Sequence, residues 1–290
     1  MKKSRKLATL GICSALFLGL AACQQQHATS EGTNQRQSSS AKVPWKASYT
    51  NLNNQVSTEE VKSLLSAHLD PNSVDAFFNL VNDYNTIVGS TGLSGDFTSF
   101  THTEYDVEKI SHLWNQKKGD FVGTNCRINS YCLLKNSVTI PKLGKNDQLL
   151  FLDNDAIDKG KVFDSQDKEE FDILFSRVPT EATTDVKVHA EKMETFFSQF
   201  QFNEKARMLS VVLHDNLDGE YLFVGHVGVL VPADDGFLFV EKLTFEEPYQ
   251  AIKFASKEDC YKYLGTKYAD YTGEGLAKPF IMDNDKWVKL

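Results

Sequence analysis

Residues 221–244 read Tyr-Leu-Phe-Val-Gly-His-Val-Gly-Val-Leu-Val-Pro-Ala-Asp-Asp-Gly-Phe-Leu-Phe-Val-Glu-Lys-Leu-Thr. Two runs rich in Val, Leu and Phe flank an Asp-Asp-Gly, the composition of a tight turn, so the segment predicts a β-hairpin. A third such run, 208–213, precedes it across Asp-Asn and Asp-Gly turn signals. A histidine inside an apolar strand is costly to bury unless its ring nitrogens are paired or used. His226 is that histidine, and the neighbouring Gly225 and Gly228 leave room for a substrate to approach. In every hairpin register whose paired numbers sum to an odd value, His226 shares a face with Phe237, Phe239, Glu241 and Leu243. Glu241 is the carboxylate of that set and the natural orienting partner of a histidine base. The other registers place Lys242 there instead.

Upstream of these strands the period is helical. Residues 59–69 carry Val61, Leu64, Leu65 and Leu69 at helical spacing behind Ser57 or Thr58 as cap, and Pro71 opens a second helix bearing Val74, Phe77, Phe78, Val81 and Tyr84. Asp106 caps a third, with Ile110 and Trp114 on one face. After a loop region over 136–164, residues 166–177 and 184–200 predict two more. Ser256 opens a short helix and 278–288 supplies an edge strand. N-terminal helices followed by an antiparallel meander is an α+β pattern, expected as a single domain over 43–290. The acid-rich stretches 153–158 and 214–220 lack EF-hand spacing and have the composition of turns. No metal or cofactor motif occurs, so none is expected.

The amino terminus reads as an address and an anchor. A basic head (Lys2, Lys3, Arg5, Lys6), an apolar run from Leu7 and the sequence Leu20-Ala21-Ala22-Cys23 predict a lipoprotein signal peptide over 1–22. Cys23 is then the lipidated first residue of the mature chain, and 24–42, almost devoid of apolar residues, is a flexible tether. The expected location is the extracytoplasmic face of the cell membrane. Without the four head cations the net charge moves from −8 to −12, which disfavours nucleic acid as a partner.

The second half of the candidate chemistry lies at 123–134, Gly-Thr-Asn-Cys-Arg-Ile-Asn-Ser-Tyr-Cys-Leu-Leu. A helix starting here places Cys126 in its first turn, where the positive end of the dipole and the N–H groups stabilise a thiolate. Those N–H groups, with Asn125 and Arg127, are candidates for holding substrate or oxyanion. Cys132 and Cys260 read as buried small hydrophobes. Once Cys13 is removed and Cys23 acylated, three cysteines remain, so one at least is free. Cys126 and Cys132 on one helix stand about 9 Å apart in rise, too far for a bridge. A bond from either to Cys260 stays open.

A cysteine opening a helix, then a strand with Gly225-His226-Val227-Gly228-Val229, then a strand carrying a polar third residue resembles the papain-like cysteine peptidases and amidases of bacterial cell walls, the NlpC/P60 superfamily. The resemblance covers roughly residues 121–245 in pieces and departs at Asn125-Cys126-Arg127, where the superfamily usually has Asp-Cys-Ser. It implies a papain-like core, Cys126 as nucleophile, His226 as general base, Glu241 as third residue and cell-wall peptide amides as substrates. The whole chain is also similar to a Gram-positive lipoprotein family of uncharacterised domain, with Phe239-Val240-Glu241-Lys242 and Glu246-Glu247-Pro248-Tyr249-Gln250 among its signature segments. Two functions follow as expectations. One is a membrane-tethered cysteine hydrolase acting on amides; the other is a non-catalytic surface lipoprotein that binds an envelope partner through the same fold.

Overall fold

A computed structural model describes residues 46–100 and 103–290. The expected signal peptide, Cys23 and the tether lie outside the described residues, as does His102. In chain order the elements are β1 (Ala47–Thr50), α1 (Gln55–Ser66), α2 (Pro71–Val88), β2 (Thr98–Ser99), α3 (Val107–Lys118), α4 (Cys126–Leu134), α5 (Phe151–Gly160), α6 (Ser165–Leu174), β3 (Val178–Pro179), α7 (Val186–Phe197), β4 (Arg207–Asp215), β5 (Tyr221–Ala233), β6 (Gly236–Lys242), β7 (Tyr249–Phe254), α8 (Lys257–Lys267), β8 (Phe280–Asp283) and β9 (Lys286–Val288). The class is α+β, as the change of hydrophobic period predicts.

The strands form one antiparallel sheet in the order β2-β1-β7-β6-β5-β4-β8-β9, with β3 paired to β5 off this path. Alternating side chains divide the core between its two faces. Val227, Val229 and Val231 of β5 and Leu238 and Val240 of β6 point into the larger core, which they share with α1 to α7. Leu230, Phe239, Ile252 and Phe254 point into the second, closed by Cys260, Tyr261, Tyr263 and Leu264 of α8.

Three features differ from the sequence reading. The sheet begins before the helices, because β1 pairs with β7, Tyr49 opposite Ile252. The cap of α1 is Asn54, whose side chain accepts from the Ser57 N–H; Ser57 is buried instead and donates to the Gly95 carbonyl. Residues 151–160, expected as loop, form α5, with Asp153 fully buried.

The hairpin register decides where the candidate site forms. Val229 pairs with Val240 and Ala233 with Gly236, so the paired numbers sum to an odd value and Glu241 falls on the His226 face. The β5–β6 ladder stops at Val229, while β3 takes only Tyr221 and Leu222 at the other end. Among the described residues no strand pairs with 223–228 on that side. α4 fills the gap, its Arg127 and Ser130 side chains donating to the Val224 and Val227 carbonyls. Backbone acceptors left over by the sheet are thus satisfied by the helix that carries Cys126.

Candidate active site

Cys126 is the first residue of α4, behind Asn125, whose side chain accepts from the Ile128 N–H at 3.1 Å. The preceding turn needs Gly123, with φ of +93° and a Cβ position already 3.4 Å from the Phe245 carbonyl and the Trp114 ring. Inside the helix, Asn129 donates to Thr124 Oγ1 and to the Asn125 carbonyl and accepts from the Tyr249 hydroxyl at 3.0 Å. The approach to Cys126 is therefore fixed by buried polar contacts on both sides of the thiol.

Asn125 and Arg127 are held by Asp153. Asn125 Nδ2 donates to its Oδ1 at 2.7 Å, and Arg127 binds both carboxylate oxygens, Nε at 2.9 Å and Nη2 at 2.7 Å. With Nη1 on Val224, this fork secures α4 to α5 and to β5. The two side chains expected to contact substrate are engaged in holding the helix. Asp153, which composition places in a turn, is their common anchor.

His226 lies on the α8 face of β5. Its Nε2 is 2.5 Å from Glu241 Oε2, which leaves Nδ1 for Cys126. Thiol and imidazole are close enough that each favours the charged form of the other. Gly225 occupies the bulge where Val211 pairs with His226 but Val212 pairs with Val224. The two glycines do not open the strand to a substrate. A Cβ on Gly225 would stand 2.3 Å from Leu213, and one on Gly228 2.3 Å from Phe239, so protein side chains already fill the space.

Glu241 is fully enclosed, and each of its oxygens has a donor. Tyr263 donates its hydroxyl to Oε1, and Lys267 Nζ approaches the same oxygen at 3.5 Å. Tyr268 stacks on the imidazole at 4.9 Å between centroids. These three partners come from α8 and its C-cap, and sequence reading missed them. The one available signal is the polar and aromatic repeat Tyr263, Lys267, Tyr268, which marks a helix face unlike its apolar neighbours.

The electrostatics favour an ion pair. Burial pushes the Cys126 thiol up, but the charge and hydrogen bond of His226, aided by Arg127, outweigh it and hold the thiol below its ordinary value. Burial pulls His226 down, and Cys126 and Glu241 overcome it, so the imidazole is raised. Burial also raises the Glu241 carboxyl, yet Lys267, His226 and Tyr263 bring it to about 2. The other thiols behave oppositely: burial lifts Cys132 to about 12 and Cys260 well above its ordinary value. All three are free of disulfides.

Lys242, the alternative neighbour of His226 in the other registers, points to the opposite face. Its buried Nζ donates to the Thr244, Phe245 and Glu247 carbonyls and lies 4.2 Å from the Tyr84 ring. It closes the turn between β6 and β7.

Among the described residues no helix is long and apolar enough to cross a membrane, and no group of three or more His, Cys, Asp or Glu is placed to hold a metal ion. Neither the curated proteins nor the solved structures contain a match to this chain. Residues 48–288 match the family described as Domain of unknown function (DUF4300), a span that contains both cores, α4, the hairpin and α8. The chain therefore belongs to the DUF4300 family.

Proposed function

We propose that this protein is a cysteine hydrolase of amide bonds, tethered through Cys23 to the extracytoplasmic face of the membrane, and that peptides of the cell wall are its substrate class. One observation carries the reading: Cys126 opens a helix beside His226, whose Nε2 is paired with the buried Glu241, and the thiol is shifted down and the imidazole up, each by the other. Structural cysteines such as Cys132 shift the other way.

In the reaction the Cys126 thiolate attacks the amide carbon, and N–H groups of the first turn of α4 stabilise the oxyanion. The His226 imidazolium gives its proton to the departing amine as the C–N bond breaks, leaving a thioester. A water, deprotonated by the now neutral His226, adds to the thioester; the C–S bond breaks, and the carboxylic acid and the original ion pair are released. Glu241 keeps the imidazole oriented through both steps. The order of elements is that of the papain-like resemblance, which supports the choice of amides over other acyl groups.

The non-catalytic alternative draws on a different observation, the burial of the site: Cys126 retains 5% of its surface and His226 2%. One experiment separates the two. The full chain is treated with iodoacetamide from pH 5 to 9 and labelling at Cys126 is read by peptide mass, for wild type and His226→Ala. Labelling at pH 6 faster than that of a free cysteine, and lost with His226, supports the hydrolase. Slow labelling unaffected by His226 overturns it and favours a binding module. For the anchor, Cys23→Ala is expected to release the protein from membranes.

A further inference from the structure

Outside the three residues of the proposed chemistry, a directed set of hydrogen bonds runs from the surface to Glu241. Lys267 Nζ donates to the Tyr263 hydroxyl at 2.8 Å. An ammonium has only donors, so the Tyr263 oxygen accepts from it and its own proton must go to Glu241 Oε1. That oxygen therefore acts as an acceptor, with the Lys267 charge 3.5 Å away. Despite burial, the Lys267 charge, with His226 and the Tyr263 donor, keeps Glu241 ionised, and a carboxylate Oε2 can meet His226 only if Nε2 carries a proton. The direction of every bond from Lys267 inward is thereby fixed, and it ends by leaving Nδ1 as the basic nitrogen for Cys126. Lys267 is the one link in this series that reaches solvent, with 30% of its side chain exposed.

We infer that Tyr263 and Lys267 are positioning residues, which set the tautomer of His226 by holding Glu241 as an oriented proton acceptor. The inference rests on the proposed role of Cys126 and His226. It adds that α8, on the face of the sheet opposite the core that holds α4, belongs to the working site. Tyr268, stacked on the imidazole, restricts its rotation from the same side.

The test has two readouts. The first is the nitrogen NMR of His226 in the Cys126→Ala protein at a pH where the ring is neutral, which reports the tautomer without reference to any reaction. The second is the pH profile of Cys126 alkylation by iodoacetamide. With Tyr263 and Lys267 intact the Nε2–H tautomer is expected to dominate. Tyr263→Phe and Lys267→Met are each expected to lower its population, to slow alkylation at pH 6 about tenfold and to move the acid limb of the profile to higher pH, because a weakened acceptor no longer supports the imidazolium. Lys267→Arg keeps the charge and the donor and is expected to behave as wild type. A tautomer population and an alkylation profile unchanged in both Tyr263→Phe and Lys267→Met overturn the inference. Lys267→Met, at a partly exposed position, keeps the test decisive where Tyr263→Phe fails to fold. Slow alkylation of the wild type overturns the hydrolase instead, and the NMR readout then decides the positioning question alone.

Discussion

Cys126 lies about a hundred residues before His226 and Glu241, and each was legible for its own local reason: a thiol beside a helix start, a histidine in an apolar strand, a carboxylate at the right parity across a hairpin. Their partners were not, because Asp153, Tyr263 and Lys267 are defined by contacts that no short window contains. The carboxylate is the residue whose chemistry is most exposed to test. Glu241→Gln keeps the shape but removes the negative charge that supports the imidazolium, so the Cys126 thiol is expected to rise and alkylation at pH 6 to slow by about 10- to 100-fold, measured by peptide mapping. Arg127 offers a different case. Its guanidinium is the cationic partner of Asp153, whose side chain is 1% exposed. Arg127→Met leaves that carboxylate buried without a counterion and is expected to destabilise the fold by about 3–5 kcal/mol in urea denaturation. Adding Asp153→Asn to it is expected to recover part of the loss, since a buried amide costs less than an unpaired charge.

Elements were read best where the period was long and clean. α2 begins at Pro71 and α3 behind Asp106 as expected. The misses share a cause. β1 is four residues, Ala-Ser-Tyr-Thr, and its pairing partner β7 lies some two hundred residues downstream, so nothing local announces it. α5 contains Asp153-Asn154-Asp155, a turn composition overridden because tertiary contacts take up Asp153, through Arg127, and the Asn154 Nδ2, through Asp172, while Asp155 pairs with Lys159 one turn on in the same helix. The bulged strand β5 is where element geometry serves the site. Its glycines admit Leu213 and Phe239 where a β-carbon would otherwise stand, and Gly225 sits in the bulge that carries His226. Gly228→Ala places a methyl group 2.3 Å from Phe239 and 2.8 Å from the Val240 carbonyl. The expected cost is about 1–3 kcal/mol in denaturant unfolding. A companion Phe239→Leu, which relieves the ring contact but not the carbonyl, is expected to restore only part of it.

At the scale of the molecule, the proposed site joins the two cores: α4 reaches His226 from one face of the sheet through the gap beside β5, and α8 holds Glu241 from the other. The charge state of the site is therefore also a term in global stability. Glu241 is held at about 2 in the folded protein against an ordinary value of 4.5. A carboxyl depressed on folding contributes stability that is complete above its unfolded value and is lost as pH falls toward its folded one, since the unfolded chain takes up the proton first. The window is thus pH 4.5 down to 2, and the full shift corresponds to about 3 kcal/mol. Urea unfolding of wild type at pH 5 and at pH 2.5 is expected to differ by more than the same pair of measurements on Glu241→Gln, whose amide does not titrate. The comparison isolates one group because the other acids are common to both proteins. An equal loss in the two would mean that Glu241 keeps its ordinary pKa in the folded state and gains nothing from Lys267, His226 and Tyr263, and the orientation of His226 would then need another source.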